Sequence, residues 1–399
     1  MAAKSKSKVL RVHYNFDLSG GAEYDILKLL KVFNERGYDH RLILIERIKN
    51  EYHFKESTSS ESASFRSLHD LERYVMEFIR LHAFTIIHLH SLPYPEVIDV
   101  FFRIGLPVYK SMHDAMMVCP GWGKFWLTDE TPCSKPYGIH CLIHAYTKKC
   151  TRSRKPEKVL DSYQYVHYEI HEAANSYKQI LVYSSYMKSQ ALAVGIPEEK
   201  ISHIPSPQFE ADDRPDDKDE VNKPERLLFV GRLSKQKGLH YLLEAMALLK
   251  KRGIHIELDV IGDGQNREEF MRMAETLGLS GTVFFYGWVS RSQVKDYYRK
   301  AIALIIPSVY PDNFPNVVAE AMINRKVVIT FDSGGTAEWF EDGISGFKVP
   351  SKGIHALAEK IEFVLNHADL KTIGENARQH LLKTHHPDRV FERYQQLYS

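Results

Sequence analysis

Asp312 and Glu320 stand eight positions apart in the stretch PSVYPDNFPNVVAEAM, residues 307–322, with Pro315 between them. If Asn313 or Phe314 lies just outside a helix that Pro315 opens, the amides of residues 316–318, Asn316 and Val317 among them, lack intrahelical partners and form an anion site. Eight residues of helix rise on the order of 12 Å, so the two carboxylates can accept hydroxyl hydrogen bonds at either end of a ligand with a diphosphate in its middle. Two such acids in isolation read more simply, as one acid favoured by the helix dipole and one solvated glutamate.

The neighbouring loops carry the complementary charge. Arg232 and Lys237 lie in FVGRLSKQKG, residues 229–238, between a strand-like run and a helix expected over 238–252. Arginine pairs bidentately with phosphate and lysine acts as a point charge, although cations in an isolated turn are usually just solvated. VIGDG at 260–264 ends a further strand in a tight glycine turn, and FFYGWVS at 284–290 places Trp288 and Val289 at the end of another. In the first half, SGGAE at 19–23 offers Gly20 and Gly21, which permit close backbone approach. The pair lacks G-x-G-x-x-G spacing, which argues against a nicotinamide-dependent oxidoreductase. PVYKSMHD, residues 107–114, ends in His113 and Asp114; a lone histidine at a strand end is more often structural than functional.

All four cysteines, Cys119, Cys133, Cys141 and Cys150, fall in one insertion over 119–150. Four thiolates suit a tetrahedral structural zinc, but the spacings of 14, 8 and 9 contain no short C-x-x-C pair. Disulfides and free buried thiols are the rival states, the former disfavoured in a cytoplasmic chain. Trp122, Trp126, Tyr137, Tyr146, His140 and His144 share the segment, as a platform for a sugar or as packing.

Positioning these residues requires strands that end together. Strand-like runs near 8–13, 41–46, 85–89, 107–111 and 179–183, then near 227–230, 256–261, 282–286, 302–306 and 327–330, alternate with helix-length segments such as 290–300 and 353–367. That is the pattern of α/β sheets covered on both faces. With 399 residues and 44% hydrophobic content the chain makes two such domains. The stretch 206–226 is acidic and without periodicity, which predicts a hinge linker. A net charge of +2 names no partner, and no basic stripe interleaves with aromatics, so nucleic-acid binding is excluded. The basic start, MAAKSKSK, precedes no apolar run of signal or spanning length, and the expectation is a cytoplasmic protein, with peripheral contact at the inner face of the membrane left open.

Taken together, the segments resemble retaining glycosyltransferases of the GT-B fold, glycosyltransferase family four (group 1). The matching positions are Pro307, Ser308, Phe314, Pro315, Glu320, Ala321, Met322, Val328, Gly334, Gly335, Glu338, Gly343 and Gly346. Asp312 stands where that family usually has Glu, Arg325 where it has Gly and Val327 where it has Pro. The H-D-x-x-x-x-C-P run through Cys119 and Pro120 resembles a subset of the family with further downstream cysteines.

The resemblance implies two Rossmann-like doubly wound domains facing across a cleft: residues 1–205 for the acceptor, with the insertion 119–150, a linker over 206–226, and 227–385 for the nucleotide sugar. Residues 386–399 would form a helix crossing back to the first domain. It further implies metal-independent transfer of a hexosyl group, with retention, from a UDP- or GDP-sugar to a glycan or lipid-linked acceptor in polysaccharide or glycoconjugate biosynthesis. Arg232, Lys237 and the amides of Asn316 and Val317 would hold the diphosphate, Asp312 the sugar hydroxyls and Glu320 the ribose. Phe314 and Val289 would line the donor site, Gly20 and Gly21 would approach the diphosphate, and His113 would meet sugar and diphosphate. The alternatives are a catalytically weak nucleotide or glycan binder, or a zinc-stapled interaction module.

Overall fold

The computed structural model describes residues 7–14, 20–209, 226–367 and 369–399. The chain divides into two units, the first holding 1–129, 133–207 and 387–399, the second 130–132 and 208–386. Of the linker expected over 206–226, residues 210–225 lie outside the described residues. Ser206 and Gln208 at its start are buried, and Arg226 already opens a strand.

The first unit is built on eight strands: β1 (Val9–His13), β2 (His40–Ile48), β3 (Glu51–Glu56), β4 (Ser62–Phe65), β5 (Ile86–Leu89), β6 (Val108–Met112), β7 (Gln179–Val182) and β8 (Ile201–His203). Their order is β8-β7-β6-β5-β1-β2-β3-β4, parallel from β8 to β2 and antiparallel across β2-β3-β4. The five parallel runs expected from sequence fall within two residues of β1, β2, β5, β6 and β7, because strands buried on both faces read as unbroken apolar stretches. The antiparallel edge was not anticipated: EYHFKE alternates buried with half-exposed positions, and SASF is short and exposed at every second residue. Ile48 pairs with Glu51, so the turn holds only Lys49 and Asn50, and Lys49 takes a left-handed φ of 56°.

The last helix, Pro387–Leu397, belongs to this unit. Its Val390 and Tyr394 are fully buried, Phe391 packs on Phe33 with ring centroids 5.0 Å apart, and the Tyr109 hydroxyl donates to the Leu397 carbonyl at 3.0 Å.

The second unit carries six parallel strands, β9 (Arg226–Val230), β10 (Glu257–Ile261), β11 (Val283–Gly287), β12 (Ala303–Ile306), β13 (Val327–Phe331) and β14 (Phe347–Val349), in the order β11-β10-β9-β12-β13-β14. Every residue of β12 and β13 is buried. In both sheets the strand order reverses once beside the first strand, between β1 and β5 and between β9 and β12. Ligands of open α/β sheets settle beyond the carboxyl ends of strands at such a reversal.

Arg325 has a local explanation. The helix Asn316–Ile323 ends with Arg325 at φ 56°, its amide donating to the Met322 carbonyl at 3.0 Å, in the left-handed slot that usually takes glycine. Its Nε compensates by reaching Glu375 Oε2 at 2.8 Å, while its carbonyl packs so closely on Gly374 that an added Cβ there would stand 2.0 Å from the oxygen. The left-handed cost of roughly 1–2 kcal/mol for a residue with a side chain and the roughly 0–1 kcal/mol of an exposed ion pair nearly offset. Arg325→Gly should therefore move unfolding stability by no more than about 1 kcal/mol, whereas Gly374→Ala should lose about 1–3 kcal/mol to the clash. Urea unfolding midpoints at constant m-value check both; a large loss for Arg325→Gly would refute the cap assignment.

Candidate active site

At the reversal of the second unit, the loop after β9 and the loop after β12 are stitched together. The amides of Val309 and Tyr310 both donate to the Gln236 carbonyl, at 3.1 and 3.2 Å. Gly238, at φ 74°, lets the strands of this seam touch: a Cβ there would lie 1.7 Å from the Pro307 carbonyl oxygen. The seam brings together two charges that are 75 positions apart. Lys237 Nζ sits 2.6 and 2.7 Å from the two oxygens of Asp312, and the Ser308 hydroxyl donates to Asp312 Oδ2 at 3.0 Å. Gly335 donates its amide to the Asp312 carbonyl at 2.7 Å, so the glycine turn after β13 fixes the same loop from the other side.

The helix that follows starts one residue later than the sequence suggested. Pro315 is its N-cap, the helix runs Asn316–Ile323, and the Val318 amide donates to the Pro315 carbonyl at 3.0 Å. The anion-facing amides are thus at most those of Asn316 and Val317, and the amide of 318 is spent on the turn. Glu320 is held by Tyr298, whose hydroxyl lies 3.1 Å from Glu320 Oε2 and 3.2 Å from the Val317 carbonyl. Phe314 packs against Trp339 in a tilted pair with centroids 4.0 Å apart, and Trp339 stacks in turn on His385 at 4.8 Å, so Phe314 anchors the loop by packing. Val289 packs against the core while Trp288 beside it is 77% exposed. Arg232 is exposed and forms no ion pair among the described residues.

The first unit has its own polar cluster at the corresponding place. His13 ends β1, and His90 and His113 stand immediately beyond β5 and β6, so three histidines occupy the carboxyl ends of adjacent parallel strands. His90 Nδ1 and His113 Nε2 are 2.8 Å apart, and His13 Nε2 is 3.0 Å from Glu23 Oε1 in the first turn of the helix Gly21–Asn34. Gly20 leaves room for that carboxylate: a Cβ on it would come within 2.1 Å of Glu23 Oε2. Gly20 thus has a use inside its own unit, and Gly21 is simply the first helical residue.

Beneath the histidines Arg11, fully buried on the central strand, makes no ion pair among the described residues. It lies 3.4 Å from His88 Nδ1 and His90 Nε2, 3.3 Å from His40 Nδ1 and 3.4 Å from the Tyr398 hydroxyl. Burial, reinforced by the Arg11 charge, holds His40, His88 and His90 well below the usual imidazole range, and burial takes His113 down to about 4. At neutral pH all four are uncharged donors and acceptors.

The four cysteines do converge. Cys119, Cys133, Cys141 and Cys150 line one cavity of about 20 Å³ together with Trp126, Tyr137 and His144. Burial and the mutual proximity of the thiols push Cys119, Cys141 and Cys150 up, Cys150 to about 12. Among the described residues no three metal-ligating side chains form a group able to hold an ion.

Residues 211–380 match the family Glycosyl transferases group 1. Curated relatives agree. The alpha-D-kanosaminyltransferase of Streptomyces kanamyceticus is 29% identical over 38% of this chain and 39% of its own length. The lipopolysaccharide 1,2-N-acetylglucosaminetransferase of Salmonella typhimurium is 28% identical over 43% of this chain and 47% of its own. The alignments thus span less than half of those two relatives. Among solved structures, Anabaena HepE in complex with UDP and glucose superposes with a TM-score of 0.68 at 16% identity, covering 98% of this chain and 99% of that one. Sucrose-phosphate synthase of Thermosynechococcus elongatus gives 0.66 at 18% identity over 98% of both chains. The fold is GT-B.

Within the matched residues, Lys237, Asp312, Asn316, Val317 and Glu320 all lie on the two stitched loops or on the helix that follows them. Sequence reasoning missed Gln236 and Tyr298, which hold these residues, and in the first unit Arg11, His13 and His90. The available signal was periodic: VLRVH and IIHLH set polar residues at every second position inside otherwise apolar strands.

Two outcomes follow from the charges. Lys237→Met with Asp312→Asn in a double-mutant cycle on unfolding stability should show coupling of about 1 kcal/mol or more, because each single change leaves its half-buried partner uncompensated; additive effects would show the pair to be incidental. The depressed histidines bind protons in the unfolded chain but not in the folded one once pH drops below about 6.5, so stability rises with pH there and is lost as pH falls towards 4. The apparent Tm should be nearly level from pH 7 to 8 and decline steadily from pH 6.5 to 5; a level profile down to pH 5 would contradict the neutral cluster.

Proposed function

We propose that the protein is a retaining, metal-independent glycosyltransferase that moves a hexosyl group from a UDP- or GDP-sugar to a glycan or lipid-linked acceptor in polysaccharide or glycoconjugate biosynthesis. The observation that carries the reading is the Lys237–Asp312 pair, both carboxylate oxygens within 2.7 Å of the ammonium, at the strand-order reversal within the residues that match Glycosyl transferases group 1. The relatives named for sugar transfer support the reaction class, and HepE, solved with UDP and glucose, supports the ligand class.

In this reading the anomeric C–O bond to the nucleotide diphosphate breaks and a bond to an acceptor hydroxyl oxygen forms on the same face, the hydroxyl proton passing to the departing phosphate oxygen. Charge grows on the leaving diphosphate, and fixed positive groups lower that barrier without reorganising. Arg232 and Lys237 supply the charge, aided by the amides of Asn316 and Val317. Asp312, already held by Lys237 and Ser308, takes sugar hydroxyls; its side chain is one methylene shorter than glutamate, so it reaches less far into the site. Glu320, oriented by Tyr298, takes the ribose. His113 contributes as a neutral hydrogen-bonding group, since an imidazole with a pKa of about 4 carries no charge at pH 7. The proposal has the protein act on the cytoplasmic side. No helix among the described residues is long and apolar enough to cross a membrane.

A thermal-shift panel of UDP, GDP, ADP and their sugar conjugates tests this. A ligand at one hundred times its Kd stabilises the folded state by about 2.7 kcal/mol. One nucleotide family should raise Tm in the wild type, with the rise reduced in Arg232→Ala and abolished in Lys237→Ala. Slow release of free sugar from the matching conjugate should accompany the rise. No shift with any nucleotide would refute a donor site.

A further inference from the structure

A cavity of about 980 Å³ is lined by residues of the first unit. Its walls come from four places: the Lys49–Asn50 hairpin turn, the loop after β5 with Tyr94, the two flanks of the cysteine insertion with Trp122 and Arg152, and the face of the helix Pro156–Asn175 that presents Tyr165 and Tyr168. The size suits a short saccharide rather than a single water-filled gap. The structure separates two roles that the sequence left mixed. Trp122 faces this cavity, whereas Trp126, Tyr137 and His144 face the thiols.

Two properties define what it would bind. The first is an aromatic floor whose polar tips are already occupied. The Tyr168 hydroxyl donates to Asp99 Oδ1 at 2.6 Å, and the Tyr94 hydroxyl accepts the Arg47 amide at 3.2 Å, which leaves ring surface as their available contact. Sugar rings stack on such faces. The second is an excess of positive charge. Four cations line the cavity against two carboxylates, and two of the four are matched: Arg47 with Glu96 at 2.9 Å and Lys158 with Asp161 at 3.3 Å. Lys49 and Arg152 form no ion pair among the described residues, and Arg152 Cζ sits 4.1 Å from the Trp122 ring centroid, a cation held against the aromatic surface.

We propose that this cavity binds the acceptor and that the acceptor is an anionic saccharide, its phosphate or carboxylate held by Arg152 and Lys49 and a neighbouring sugar ring stacked on Trp122. The proposal rests on the transferase reading for the word acceptor, but not for the binding itself.

Calorimetric titration of the full chain, saturated with the nucleotide that shifts it, separates the two. The probes are glucose, glucose 1-phosphate and glucuronate, each at low and high salt. One or both anionic probes should bind at least tenfold more tightly than glucose, with the advantage shrinking at high salt as exposed charges are screened. The stronger of the two identifies phosphate or carboxylate. Arg152→Ala should erase the advantage, and Arg152→Lys should keep part of it because the charge survives while the planar guanidinium is lost. The nucleotide-induced Tm rise should be unchanged in both variants, which shows them folded and the donor site intact. Equal affinity for glucose and the anionic probes, or an advantage that persists in Arg152→Ala, overturns the proposal. Absent nucleotide shifts with an Arg152-dependent preference retained would instead sink the transferase reading and leave an anionic-saccharide site standing.

Discussion

A parallel sheet whose strand order reverses must leave two neighbouring loops running apart on opposite faces, and the gap between their starting points cannot be filled by either helix layer. The Lys237–Asp312 pair and the histidine cluster are each arranged around such a gap. In the second unit the gap between β9 and β12 is closed by backbone, Gln236 receiving two amides from the opposite loop, and only then can Lys237 and Asp312 meet. The pair is therefore a product of topology: neither residue is placed by its own element, and each depends on a glycine that tolerates contact no side chain would allow. The same geometry explains why the carboxylate is held so firmly from both sides, by Ser308 on its side chain and by Gly335 on its carbonyl.

The first unit solves the same problem with different chemistry. Its gap, between β1 and β5, is lined by imidazoles and floored by a buried guanidinium. An unpaired cation in a core is costly unless hydrogen bonds surround it. Here the surrounding acceptors are histidines and a tyrosine, which burial keeps neutral. The arginine charge adds to that effect on the imidazoles and works against it on the Tyr398 hydroxyl.

How far the sequence could be read follows the range of each interaction. Buried parallel strands were legible because nothing else produces unbroken apolar runs of that length between amphipathic helices. The residues 307–347 were legible because loop, helix, strand and glycine turn succeed one another locally. The ion pair between Lys237 and Asp312 was not, since it needs the strand order. The hairpin at β2–β4 escaped because its residues are half exposed and mix polar with apolar, and with it went the wall that carries Lys49. Pro315 was misplaced by one position: proline is usual at the first helical residue, but here its extended backbone, with ψ 105°, and the Val318 hydrogen bond make it the N-cap. Arg325 showed the reverse, a departure from pattern with an evident price in backbone conformation that a neighbouring glutamate and a distant glycine accommodate.

The position of the last helix has a consequence for how the molecule is made. The polypeptide leaves the first unit after Pro207 and returns to it only at Pro387. As the chain emerges from the ribosome, all strands of the first sheet are present early, but Arg11 and His88 wait for the hydroxyl of Tyr398 and the hydrophobic floor waits for Tyr394. At ordinary elongation rates of 5–20 residues per second that wait is roughly ten to forty seconds. The second unit, whose strands lie on one continuous stretch, has every partner it needs before then. The later-translated half is thus the first to have its whole sequence available, and the nascent N-terminal half spends that interval with all its strands but without the last helix and the Tyr398 hydroxyl that Arg11 and His88 meet.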